Sequence, residues 1–173
     1  GGVIWEKNYG GSLGDSFSKI LQLENGDFFI QGGTSSIDND LENRTPEDGG
    51  AWILKLDESG NILSNKILER DLIGFTQDIV LGLNDDIIFI GSYSMSSGNT
   101  DGVVMSITEN GSVNWRKTYG GEFLDYLLSI DIDNEGAYYT SGGYSQNSNN
   151  NSRDLWLLKL DESGNVIWKN TYG

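Results

Sequence analysis

Histidine and cysteine are both absent from this 173-residue sequence, and proline occurs once, at Pro46. Without cysteine there is no disulfide framework and no thiolate metal site, although that absence does not separate cytosol from exterior. Without histidine, the commonest general base and the commonest metal ligand are both missing. Scarce proline suits strands whose amides must enter ladder hydrogen bonds. Positive charge is short too: 11 Lys and Arg stand against 26 Asp and Glu, for a net charge of −15. Phosphate backbones are repelled by such a chain, which argues against nucleic acid, and an anionic membrane surface is an equally poor partner. No apolar run approaches the ~20 residues of a spanning helix, so no membrane insertion is expected. The sequence opens Gly1-Gly2-Val3 without a signal peptide, so any export signal is expected to have been removed or to lie outside it.

What is present is glycine, 24 residues of it, and a phrase given three times. Ala51-Trp52-Ile53-Leu54-Lys55-Leu56-Asp57-Glu58-Ser59-Gly60-Asn61-Ile62-Leu63 returns as Leu155-Trp156-Leu157-Leu158-Lys159-Leu160-Asp161-Glu162-Ser163-Gly164-Asn165-Val166-Ile167. A degraded copy runs from Val103 to Trp115 around Gly111. The turn glycines Gly60, Gly111 and Gly164 set steps of 51 and 53 residues. A period near 50 marks a repeat whose unit cannot bury its apolar face alone.

One unit reads as follows. Ser16 to Leu23 alternates apolar and polar, a strand signal. Glu24-Asn25-Gly26-Asp27 is a hairpin turn, with Asn-Gly supplying positive φ. Phe28-Phe29-Ile30 is a short apolar run, the pattern of a strand covered on both faces. Thr34 to Gly50 is a polar loop; Ala51 to Leu56 is a third strand, and Ile62-Leu63 opens a fourth. The second unit repeats the plan with Ile87 to Gly91, a loop from Ser92 to Asp101, Gly102 to Thr108, and Val113 to Tyr119. The third has Tyr138 to Gly143, a loop from Tyr144 to Asp154, Leu155 to Leu160, and Val166 to Tyr172. A 3.6 period never runs for three turns, so very little helix is expected.

The expected fold is therefore all-β: β-propeller blades, each a four-stranded antiparallel meander, with repeats near 11–68, 69–119 and 120–173. A β-trefoil is the rival, since it too is built from three units of four strands. Central strands that are apolar at every position, such as Ile87 to Ile90, favour stacked sheets over a barrel with one wet face. The string Trp156-Leu157-Leu158-Lys159-Leu160-Asp161-Glu162-Ser163-Gly164-Asn165-Val166-Ile167-Trp168-Lys169-Asn170-Thr171-Tyr172-Gly173 also resembles the kelch-like repeat of bacterial secreted and cell-surface β-propeller proteins of the Bacteroidetes type. That resemblance implies an extracellular or cell-surface scaffold, and it carries no shared catalytic residues.

Gly2 to Gly10 aligns with Val113 to Gly120 and with Val166 to Gly173, so it reads as an orphan fourth-type strand. Three blades and one strand leave apolar sheet faces and strand edges uncovered. The expectation is an incomplete ring that continues into further blades, or copies that self-associate into an oligomeric ring.

Candidate sites follow from the repeats. Asp57-Glu58 and Asp161-Glu162 recur in turns beside Ser-Gly-Asn, where Asp caps the backbone. Asp15 and Asp125 each follow Tyr-Gly-Gly at the same distance; they are expected to stitch loops by accepting backbone amides, or else to line a channel and hold a cation. Asp131-Ile132-Asp133-Asn134-Glu135-Gly136 imitates the start of a calcium loop, but position 12 is Gly142 where a bidentate Glu belongs; no cofactor is expected, with calcium the one alternative. Tyr93 and Tyr144 sit at matching places in Ser-, Asn- and Asp-rich loops and are the weak ligand-binding candidates, for a glycan. Trp5, Trp115 and Trp168 on outer strands, with Trp52 and Trp156 on third strands, read as blade packing. The sequence thus points to a non-catalytic module binding a protein partner or a surface, with a carbohydrate-binding module second and a glycosidase or lyase third.

Overall fold

The computed structural model describes residues 1–41, 50–68, 72–94, 99–147 and 153–173. Much of the long polar loops, and the boundary of the first repeat at residue 69, lie outside the described residues. The chain divides into two compact units, Gly1–Arg70 and Asp71–Gly173, where the sequence suggested one segment.

The first unit holds one sheet: β1 (Asp15–Gln22), β2 (Phe28–Thr34), β3 (Gly50–Leu56) and β4 (Ile62–Leu68), in the order β1-β2-β3-β4. The second unit holds two. Its first sheet is β5 (Phe75–Leu81), β6 (Ile87–Ser94), β7 (Thr100–Ile107) and β8 (Val113–Tyr119); its second is β9 (Tyr126–Ile132), β10 (Tyr138–Ser145), β11 (Arg153–Leu160) and β12 (Val166–Tyr172). Every pairing is antiparallel between sequence neighbours, so each sheet is a meander. Among the described residues no ladder joins one sheet to another, which removes the trefoil. A 3-10 turn at Asn39–Leu41 is the sole helical element described.

Local chemistry explains the hairpins. Gly60, Gly111 and Gly164 take φ of 75°, 78° and 74°, a region that favours glycine. Asp57 Oδ1 accepts the amides of Ser59 (2.9 Å) and Asn61 (2.8 Å), and Asp161 Oδ1 accepts those of Ser163 (2.9 Å) and Asn165 (2.7 Å). The Asp-Glu-Ser-Gly-Asn string is thus a self-capped turn.

Each sheet also carries a bulge in its first strand opposite a glycine in its second. The register skips between Phe17 and Lys19 opposite Gly32, between Thr76 and Asp78 next to Gly91, and between Ser141 and Gly142 on the β9–β10 pair. A β-carbon at Gly32, Gly91 or Gly142 would overlap the carbonyl oxygen of Ser16, Phe75 or Tyr126 respectively. Bulges bend and twist a strand, and here the same bend is repeated in all three sheets.

Burial follows the apolar pattern. Ile87, Ile88, Phe89 and Ile90 are all 0% exposed, so β6 is covered on both faces. One core joins the two sheets of the second unit: Ile88, Ile90 and Val104 from one, with Leu127, Trp156, Leu158 and Leu160 from the other. The first unit has its own core of Ile30, Leu41, Trp52, Leu54 and Leu56, against which Tyr9 packs.

Two expectations need correction. Residues 1–14 contain no strand, so the segment Gly2 to Gly10 is not an orphan fourth strand. A strand exists only where a neighbour completes its ladder, and this segment is held by side chains instead. Tyr93 and Tyr144 are not loop residues: β6 runs to Ser94 with Tyr93 opposite Asp101, and β10 to Ser145 with Tyr144 opposite Asp154. Polar side chains did not end these strands because the backbone ladder does not need apolar ones.

Candidate functional site

The contacts that recur most faithfully lie where a fourth-type segment meets a β3–β4-type turn. In the second unit, β8 lays Trp115 against Gly164, where an added β-carbon would stand 2.7 Å from the indole. Tyr119 donates its hydroxyl to Gly164 O at 2.6 Å, and Lys117 Nζ donates to Asn165 Oδ1. The N-terminal segment repeats this on the first unit's own turn. Trp5 packs on Gly60 and donates Nε1 to Glu58 O (3.0 Å), Tyr9 donates to Gly60 O (2.7 Å), and Lys7 Nζ donates to Asn61 Oδ1 (2.7 Å). Turn and segment therefore form a lock: glycine admits the indole, its carbonyl takes the tyrosine, and asparagine takes the lysine. Burial, with Asp161 nearby, pushes the Tyr119 phenol well above its usual range, so it remains a donor at every working pH.

Trp168, the third member of the series, is different. It lies on β12, 38% exposed, with its ring edge-on to Tyr139 at 6.2 Å. Trp52 and Trp156 are buried in the cores of their units. Gly111 keeps the turn φ, but its turn carries Thr108 and Ser112 where the others have Asp and Asn.

The recurrent aspartates stitch. Asp125, 0% exposed, accepts the amides of Gly121 (2.7 Å) and Ser145 (2.8 Å), while its own amide donates to Thr100 O (2.7 Å). It thereby ties the start of β7 to the loop before β9 and to the end of β10. Asp15 accepts the Gly11 amide (2.8 Å), the Ser36 hydroxyl (2.9 Å) and the Thr34 hydroxyl. Asp78, a further stitch that sequence reasoning missed, accepts the Ser129 hydroxyl (3.1 Å) and the Ile130 amide (3.2 Å) across the two sheets of the second unit. Its signal was an acid directly before the apolar run Ile79-Val80-Leu81 of β5.

Asp101 and Asp125 both crowd Gly120, where a β-carbon would collide with an oxygen of each. Burial, then the charge of Asp125, pushes the Asp101 carboxyl up. A raised folded pKa means that the fold holds the proton more tightly than the unfolded chain does, so stability falls as pH rises through that value. Asp101→Asn is expected to gain on the order of 1 kcal/mol over the parent at pH 7 and nothing near pH 3. Denaturant unfolding at both pH values checks this, and equal effects at both would remove the carboxylate repulsion.

The remaining candidates are tied up locally. Asp133 accepts the amides of Glu135 and Ala137 (2.9 Å each) and the Tyr139 hydroxyl (3.1 Å), so the Asp131–Gly136 string is a capped hairpin turn. Among the described residues no group of three acids is placed to hold a metal. Tyr93 lies under the Arg116 guanidinium at 4.8 Å, and Tyr144 stacks at 5.5 Å on Trp156. Both rings are partly buried, and each has one of its contacts taken by a neighbour of its own sheet.

A polar cavity of about 240 Å³ lies instead among three turns of the second unit, lined by Asn84, Asp86, Tyr138, Glu162 and Ser163. Burial, then Asp86 and Glu162, pushes the Tyr138 phenol up. Asp86 is oriented by Asn114 Nδ2 (2.9 Å) and the Ser106 hydroxyl (3.3 Å).

No family model matches the chain, and no curated protein matches it. Among solved structures, the chain is similar to a crystal structure of the eukaryotic initiation factor, at a TM-score of 0.52 and 8% identity. The match covers 91% of this chain and 32% of that one, so the chain spans about a third of the structure it resembles. At that identity the likeness concerns the fold.

Proposed function

We propose that this chain is part of a non-catalytic β-propeller scaffold, a module of an exported bacterial protein that works at the cell surface or outside the cell. Its partner is a second protein that meets the turn and loop surfaces of the blades. The observation that carries the reading is the use of the recurring side chains: Asp15, Asp125, Trp115, Tyr119 and the Asp-Glu-Ser-Gly-Asn turns join segments to sheets. A glycosidase would need two carboxylates ~5–10 Å apart across an open cleft. The buried Asp125 is held by backbone amides instead. The kelch-like string supports the exported setting. Incubation with polysaccharide and glycoside panels is expected to give no turnover; hydrolysis lost on Asp125→Asn or Asp101→Asn would overturn the non-catalytic reading.

A carbohydrate-binding module is the second reading, favoured by the polar cavity at Asp86, Tyr138 and Glu162 rather than by Tyr93 or Tyr144. Amide, carboxylates and phenol there suit sugar hydroxyls. Under this reading, glycan-array binding is lost on Glu162→Gln and kept on Tyr93→Ala and Tyr144→Ala.

A further inference from the structure

We propose that the outer face of β12 is a docking edge for a second copy of this chain, which offers its Asp57–Asn61 turn in place of its own N-terminal segment. The inference does not rest on the non-catalytic reading, because it concerns how copies meet and not what they bind.

Three observations carry it. First, the lock of indole, donor and tyrosine on an Asp-Glu-Ser-Gly-Asn turn is formed twice, by Trp5, Lys7 and Tyr9 and by Trp115, Lys117 and Tyr119. β12 bears the same series at the same spacing, as Trp168, Asn170 and Tyr172, with a side-chain donor still at the middle place. All seven residues of β12 are exposed, Tyr172 at 56% and Trp168 at 38%, whereas Tyr119 in its lock is 8% exposed.

Second, the sheet behind β12 shows the face that its predecessor buries. Ile88, Ile90 and Val104 of the preceding sheet are 0% exposed against the β9–β12 sheet. On the β9–β12 sheet itself, Tyr139 (37%) beside Trp168 and Leu155 (50%) opposite Tyr172 remain open. Tyr139 and Trp168 flank Lys159 at one end of the sheet and Leu155 pairs with Tyr172 at the other, so exposed apolar and aromatic side chains run along β12.

Third, the complementary turn is held by a replaceable occupant. Residues 1–14 form no ladder, and Val3 (80%) and Ile4 (95%) are solvent-exposed. Trp5, Lys7 and Tyr9 make the hydrogen bonds to Asp57–Asn61, and Trp5 also meets Phe28 and Tyr9 the core. The amides of Gly10, Ser12 and Leu13 are held separately by Asp40, Asp38 and Ser36, a tether that stays when the segment leaves the turn. A strand backed by a whole sheet makes the same three contacts and adds apolar area. The tethered segment competes in cis, and it sets how readily copies join. A head-to-tail contact of this kind adds further copies until the rotation closes.

The test is sedimentation velocity over a range of concentration, in ~0.15 M salt so that repulsion between chains of net charge −15 is screened. Three proteins of residues 1–173 are compared: the parent, Trp168→Ala/Tyr172→Ala, and Trp5→Ala/Tyr9→Ala. The first pair alters exposed side chains, and circular dichroism confirms the fold of both variants. Loosening the N-terminal segment is expected to tighten self-association at least tenfold, and stripping β12 to weaken it at least tenfold. If the Trp5→Ala/Tyr9→Ala protein stays monomeric at every concentration, or if association ignores the β12 changes, the proposal fails.

Discussion

Gly32→Ala is expected to cost the first sheet about 3 kcal/mol or more, whereas Gly33→Ala, one residue on, is neutral to about 1 kcal/mol stabilising. The two glycines look alike in sequence. At Gly32 a β-carbon would overlap the Ser16 carbonyl and stand 2.9 Å from the Phe17 Cα, so rigid backbone on the bulged strand must move. At Gly33 the nearest atom, Gly50 O, is 4.0 Å away, and neither residue has the positive φ that would strain alanine. The second substitution therefore reduces only the freedom of the unfolded chain. Denaturant unfolding followed by circular dichroism checks the pair, with the slope compared because the chain has two compact units and need not unfold in one step. Equal costs at the two positions would mean that the bulge is not what glycine serves. Gly91→Ala and Gly142→Ala should behave like Gly32→Ala, since Phase-matched carbonyls of Phe75 and Tyr126 stand in the same place.

Turn chemistry was the part of this fold most legible in the sequence. Val113–Tyr119 and Val166–Tyr172 emerge with the ends read from their pattern, because Thr108, Asn110 and Ser112 fix the first hairpin and Asp161 and Asn165 the second by contacts within five residues. Information that local is written in the order of residues. What was hidden depends on partners far along the chain. The N-terminal segment carries the side chains of a fourth strand but lacks the neighbour that would make it one. Tyr93 and Tyr144 read as loop residues because serine, asparagine and aspartate surround them. Their ladders with Asp101 and Asp154 are backbone interactions that composition does not report. Asp78 was passed over for a related reason: its value lies in Ile130, more than fifty residues away.

The same distinction separates the lock from the cavity. Trp, Lys and Tyr at alternate places recur with the turn they fit, so the pairing of two sequence patterns foreshadowed a physical contact, even where the strand expected at residues 2–10 did not form. The cavity near Tyr138 draws Asp86, Gly136 and Glu162 from three different turns, and no one repeat contains it. Features made within or between repeats are visible as periodicity; features made by convergence of unlike turns are not.

Asp125→Ala is expected to cost about 3 kcal/mol, because two backbone amides lose a charged acceptor and each buried unpaired group costs roughly 1–3 kcal/mol. Asp125→Asn keeps the volume and one carbonyl oxygen, so about half of that loss is expected. The pH dependence separates Asp125 from Asp15, its counterpart in the first repeat. Burial pushes the Asp125 carboxyl up, an effect that the Ser145 and Gly121 amides only partly offset. The proton is then favoured by the fold, and the contribution of Asp125 declines as pH rises through its raised value. At Asp15, burial also pushes upward, but the Thr34 hydroxyl, the Gly11 amide and Ser36 outweigh it, and the carboxyl lies below its usual range. Its contribution is present above the unfolded-chain value and is lost as pH falls through the depressed one. The cost of Asp125→Ala should therefore grow on acidification while that of Asp15→Ala shrinks, in unfolding curves taken between pH 3 and pH 7. If Asp125 held a cation instead of stitching amides, millimolar calcium would raise the parent's unfolding midpoint and leave Asp125→Ala unmoved. Asp125 is 0% exposed and already accepts an amide on each oxygen, and among the described residues no group of three acids could complete a cation's shell, so no such shift is expected.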